Sequence, residues 1–133
     1  MAAILDRKFE KFLGGPTLSP EERVHVSVDG RGVITFNATC YKLLGKPKAV
    51  YLHFSRADDT IAVEPVTSFH LPAAFPLRPN GTAWYLNSAP FCRHFGIDLD
   101  STQRFIAPDF RDGALHLKLS ETVTISRKRR PRA

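Results

Sequence analysis

Alternation of apolar and polar residues is the clearest pattern along the chain, and it predicts short strands. Two such runs, Val24–Val28 and Val33–Phe36, flank a turn that contains two glycines. Asn37 then predicts the cap of a short helix over 38–44, because its side chain can accept a hydrogen bond from the first helical turn. Two further predicted strands follow, over 49–54 and 60–64.

The same order of elements returns after a proline-rich segment, which predicts an internal repeat. A strand over 82–86 leads into a helix over 89–95, capped by Asn87 or Ser88. Strands over 103–106 and 114–119 then predict a second hairpin. Superposing the halves places Ile34 on Trp84, Phe36 on Leu86, Asn37 on Asn87 and Tyr41 on Phe91.

The predicted fold class is therefore α+β and mainly β, with two βαββ repeats. The chain divides into an N-terminal helix and lead-in (1–23), a first repeat (24–67), a proline-rich linker (68–81), a second, divergent repeat (82–120) and a basic tail (121–133). The N-terminal helix is predicted from apolar residues that share one side, namely Leu5, Phe9, Phe12 and Leu13.

The first repeat resembles a known family of small DNA-binding proteins. Arg31–Asn37 reads Arg-Gly-Val-Ile-Thr-Phe-Asn and is followed by Leu44 and Gly45. This is similar to the pattern Lys-Gly-Gln-Ile-Thr-Leu-Pro and Leu-Gly of the AbrB/SpoVT (MazE-like) swapped-hairpin family. Members of that family interleave the hairpins of two chains into one barrel. The resemblance implies that two tandem copies form a pseudo-dimeric barrel here, as a monomer or as a homodimer.

The resemblance also implies a set of DNA-contacting residues, since the family uses basic residues around the first turn and on the short helix. The corresponding or adjacent cations in this chain are Arg31, Lys42, Lys46, Lys48 and Arg93. Val33 occupies a position that is often basic or polar in the family, so the expected basic surface is depleted.

Most of the net charge lies in the tail. The chain carries +6 at pH 7, and its last eight residues contribute five positive and no negative side chains, which leaves +1 for residues 1–125. Arginine dominates this segment and favours phosphate contacts. The tail residues predicted to bind nucleic acid are Arg127, Lys128, Arg129, Arg130 and Arg132.

No pattern in the chain indicates catalysis, a cofactor or a metal. The five histidines lack the spacing of a ligand cluster. Cys40 and Cys92 lack an evident base, and the paired aspartates fall in predicted turns. We therefore expect no enzyme activity, no cofactor and no metal.

The sequence favours a nucleic-acid-associated or transcription-regulatory protein, with double-stranded DNA as its partner. The alternative is a non-catalytic protein-interaction module, adaptor-like or antitoxin-like, that binds a protein through the N-terminal helix or the linker. No apolar run is long enough to span a membrane and no signal peptide is recognised, so a cytoplasmic location is expected.

Overall fold

The computed structural model describes residues 23–67 and 71–125. Strands make up 45% of these residues and helices 13%, arranged as two antiparallel sheets. The predicted mainly β class is thus confirmed. The predicted N-terminal helix and the five tail cations, from Arg127 to Arg132, lie outside the described residues.

The first half follows the predicted order of elements. Asn37 caps the first helix as expected, because its Oδ1 accepts a hydrogen bond from the backbone N–H of Cys40 at 3.0 Å. The elements are β1 (Val26–Val28), β2 (Val33–Phe36), α1 (Ala38–Leu43), β3 (Ala49–Ser55) and β4 (Thr60–Val66).

The second half departs from the prediction in its last hairpin. Its elements are β5 (Phe75–Pro76), β6 (Arg78–Asn80), β7 (Ala83–Asn87), α2 (Ala89–Phe95), β8 (Gln103–Phe105), β9 (Asp109–Arg111), β10 (Ala114–Lys118) and β11 (Thr122–Thr124). The strands β5 and β6 arise within the predicted linker.

The predicted pairing of 103–106 with 114–119 is wrong, because β8 pairs with β1 and β11 instead. The hairpin partner of β10 is β9, which lies within the segment predicted as a turn. Asp112 and Gly113 both have positive φ and form a tight two-residue connection between β9 and β10. This local turn brings β9 beside β10 and leaves β8 for the other sheet.

Two open sheets replace the predicted barrel. Sheet A has the strand order β11-β8-β1-β2-β7-β6, and sheet B has the order β5-β3-β4-β10-β9. They share no strand, and neither closes on itself in the described part of the chain. Their apolar faces meet in one core; its fully buried members include Val26, Val28, Ile34, Phe36, Val50, Val63, Leu115 and Leu117.

Among the contacts that join the halves beyond the sheet pairing, two lie at opposite ends of β2. The backbone N–H and the hydroxyl of Ser88 both donate to the carbonyl oxygen of Gly32, at 2.8 and 2.6 Å. Gly32 has φ +89°, and a Cβ there would lie 3.0 Å from Cα of Ala89. At the other end of β2, the ring of Tyr41 stacks on Trp84 with centroids 4.1 Å apart. Each helix is thereby held against the opposite half.

Candidate nucleic-acid interface

The structure brings two of the predicted DNA-contacting residues together. Arg31 and Arg93 line one small cavity of about 180 Å³, but Asp29 and Asp98 line it as well. The guanidinium of Arg31 contacts the carboxylate of Asp29 at 2.9 Å. Burial alone would raise the pKa of Asp29, but hydrogen bonds from Val33 and Arg31 outweigh it and hold this pKa below its usual value. The Arg31 charge is therefore largely offset locally.

The predicted lysines lie elsewhere. Lys42, Lys46 and Lys48 belong to α1 and the segment after it, and α1 starts from the opposite end of β2 from Arg31. All three are exposed. The structure thus places the five predicted body cations in two groups.

A different set of residues forms a continuous line across the outer face of sheet A. Five cross-strand pairs connect one residue from each of the six strands, because neighbouring pairs have one residue in common. This cross-sheet row consists of Val123, Arg104, Ser27, Thr35, Tyr85 and Arg78. In β1, β2, β7 and β8 each of these residues is next to a buried one, so their side chains point away from the core, and the register places Arg78 and Val123 on the same face in the two edge strands.

A shallow cavity of about 400 Å³ lies on the same face. Arg23, His25 and Arg104 contribute its basic groups, and Ser27, Thr35 and Asn37 contribute polar groups. Ile125, the last described residue before the five cations of the tail, also lines it. We call this surface, comprising the cross-sheet row with Arg23 and His25, the basic face.

Within residues 23–67 and 71–125, every formally charged side chain of the basic face is positive. No acidic residue of these ranges lines the cavity, and no ion pair involves Arg104 or Arg78 there. Burial lowers the pKa of His25, and the charges of Arg104 and Arg23 lower it further. The imidazole thus experiences a positive potential, which an incoming anion would relieve.

The outer face of sheet B also carries cations, and carboxylates lie beside two of them, whereas Lys118 has no ion pair within the described residues. Nε2 of His53 lies 2.8 Å from Oε1 of Glu64. Arg111 contacts Asp109 at 2.9 Å and Asp112 at 3.5 Å. We call this surface the paired face. Asp58 and Glu121 add negative charge to the cavity of about 580 Å³ that lies on it.

The remaining candidate chemistry is limited. Burial raises the pKa of the Cys40 thiol to about 12, so its thiolate is scarce at neutral pH. Within the described ranges, no group of three or more histidine, cysteine, aspartate or glutamate side chains could hold a metal ion. No helix there is long and apolar enough to cross a membrane.

Comparisons with protein-family models, with curated proteins and with solved structures found no match to this chain. The resemblance of residues 24–67 to the AbrB/SpoVT family therefore stays a prediction. The sequence reasoning missed Arg104, Arg78, His25 and Tyr85 as a group. Strand alternation alone could have assigned His25 and Tyr85 to outward positions, but nothing local indicates that β8 lies beside β1.

Proposed function

We propose that the protein binds nucleic acid through the basic face of sheet A. The observation that carries this proposal is the row of outward residues across sheet A, in which Arg104 and Arg78 have no acidic partner in the described part of the chain. The lowered pKa of His25, caused by burial and by the charges of Arg104 and Arg23, agrees with it. Contacts between arginine and phosphate supply most of the sequence-independent affinity for nucleic acid. A regulatory role in transcription is the corresponding biological proposal.

The basic tail extends this surface in sequence. Its five cations begin two residues after Ile125, which lines the cavity of the basic face. A cationic segment tethered at a binding surface raises the effective concentration of charge there. Face and tail together supply enough cations for several phosphate contacts, whereas the body alone has few.

The internal repeat is part of the same proposal. In each sheet two adjacent strands correspond to each other in the proposed repeat: β2 pairs antiparallel with β7, and β4 with β10. Each is flanked by its own hairpin partner, β1 and β6 in sheet A, β3 and β9 in sheet B. This is the arrangement expected of a two-fold pseudo-dimer on one chain. A monomeric mass in light scattering, with unfolding independent of concentration, would agree with it; an obligate dimer would contradict it.

A pair of matched double variants tests the binding site. Arg78→Gln with Arg104→Gln removes two positive charges from the basic face, and Arg111→Gln with Lys118→Gln removes two from sheet B. Fluorescence anisotropy with a labelled oligonucleotide should show about a tenfold loss of affinity for the first variant, or about 1.4 kcal/mol, and little change for the second. Equal losses would mean that binding is diffuse.

The same assay tests the proposed function itself. Affinity of the wild-type protein should fall steeply between about 50 and 200 mM salt, as counterion release requires. Absence of binding to single strands and to duplexes at the lower salt concentration would reject nucleic-acid binding. The protein-interaction function predicted as the alternative would then take its place.

A further inference from the structure

We propose that the ligand of the basic face is a single-stranded nucleic acid, with a base stacked on Tyr85 and phosphates held by Arg104 and Arg78. This inference rests on the proposed function and specifies its substrate class. It differs from the duplex DNA that the family resemblance implies.

The width of sheet A favours a single strand over a duplex. Six strands spaced about 4.8 Å apart make sheet A about 24 Å wide. The major groove of duplex DNA is about 12 Å wide and admits a helix or a two-stranded ribbon. A sheet face of this width cannot enter the groove, so it would touch a duplex only at its outer phosphates. A single strand can instead lie along the face.

Neither α1 nor α2 is positioned on the basic face to enter a groove of a duplex. In α1, Cys40 is buried in the core, and Tyr41 stacks on Trp84. In α2, Phe91 and Cys92 are buried, and the helix begins where Ser88 binds Gly32. The helices therefore pack at the ends of β2 and do not project from the basic face. Within the described residues, no helix is placed to read a duplex by insertion into its groove.

The side chains of the cross-sheet row also suit a single strand. Tyr85 is half-buried and lies between Arg78 and Thr35 in adjacent strands. Its ring makes no aromatic contact with another described residue, unlike Tyr41 and Tyr51. A tyrosine with one arginine in the adjacent strand and another arginine three strands away in the same row is suited to base stacking with phosphate contacts on either side.

The spacing agrees with this assignment. Arg104 and Arg78 are separated by four strand spacings through Ser27, Thr35 and Tyr85, which corresponds to about 19 Å. Two phosphates of one strand several nucleotides apart can meet these two side chains. Ser27 and Thr35 add hydroxyl groups between them, which can donate to bases, sugars or phosphates.

The experiment compares four labelled ligands of one sequence at equal salt: an RNA strand, a DNA strand, and the RNA and DNA duplexes. Duplexes have the higher charge density, so electrostatics alone favours them. We expect at least one single strand to bind about tenfold more tightly than either duplex. The two strands distinguish RNA from DNA as the source of the ligand. Tighter or equal binding of a duplex would overturn the inference and leave the proposed function standing.

Two tyrosine variants complete the test. Tyr85→Leu keeps an apolar side chain and removes the ring, and we expect it to weaken single-strand binding about fivefold or more while changing duplex binding little. Tyr51→Leu, on the outer face of sheet B, is the matched control and should bind as the wild type does. Thermal unfolding checks that both variants fold. Unchanged binding by a folded Tyr85→Leu variant would overturn the stacking role. If the wild-type protein binds none of the four ligands, the proposed function is overturned as well.

Discussion

The two sheets each expose an outer face with cations, and the faces differ in what stands beside those cations. On sheet B, His53 lies against Glu64, and Arg111 lies against Asp109 and Asp112. On sheet A, Arg104 and Arg78 stand in a row with serine, threonine and tyrosine. A cation beside a carboxylate is partly neutralised and therefore attracts a further anion less strongly. The comparison indicates that cross-strand neighbours, more than the number of cations, set the local charge of each face, and the proposed binding of phosphate depends on that difference.

The largest expected effect is a loss of unfolding free energy when α2 can no longer pack closely on the turn between β1 and β2. Gly32→Ala and Gly113→Ala both place a side chain at positive φ in a strand-connecting turn, one in each sheet. At Gly32 the new Cβ would meet the backbone of Ala89 at 3.0 Å, whereas at Gly113 nothing lies within 4 Å. We expect a loss of unfolding free energy of about 3 kcal/mol for the first and about 1 kcal/mol for the second. Chemical denaturation measures both, and equal losses would contradict the close packing of α2 on this turn.

The next effect separates the tail from the face. Deleting residues 126–133 removes five cations, and each phosphate contact contributes about 0.7 to the salt slope of single-strand binding. We expect affinity to fall by more than about tenfold at low salt, for single strands and duplexes alike. Sensitivity to Tyr85→Leu should persist in the truncated protein. A truncated protein that no longer distinguishes Tyr85→Leu from wild type would place the recognition in the tail.

The smallest expected effect is on the pH dependence of stability. The folded-state pKa of His25 lies below 6.5, its ordinary value, so the unfolded chain takes up this proton more readily. This contribution to stability is complete above about pH 6.5 and is lost as the pH falls through that value towards the folded-state pKa. His25→Gln should remove this part of the pH dependence in denaturation curves. Arg104→Gln should raise the His25 pKa in an NMR titration, and an unchanged pKa would mean that Arg104 does not act on His25.

The local features of sheet A could be predicted from the sequence. Alternation in Val24–Val28 and 82–86 assigns His25, Ser27 and Tyr85 to outward positions, and Asn37 caps its helix as its chemistry requires. These features depend on residues close together in the chain.

The proposed binding surface could not be predicted, because it depends on a pairing between distant segments. Residues 103–106 have a strand pattern that fits either sheet, and the sequence favoured the nearby strand 114–119 as their partner. That choice assigns Arg104 to sheet B. In the structure Arg104 lies beside Ser27, which belongs to the first half of the chain. Arg31 shows the converse, since its family position predicts DNA contact and its neighbour Asp29 offsets its charge.

The most direct measurement of the central claim is a map of backbone amide chemical shifts during titration of the full chain with a single-stranded oligonucleotide. The account predicts that the perturbed amides cluster on the basic face, at Ser27, Thr35, Tyr85 and Arg104, and that those of His53, Ala62 and His116 on sheet B stay unchanged. Perturbations concentrated on sheet B, or around Lys42, Lys46 and Lys48 with sheet A unaffected, would contradict it.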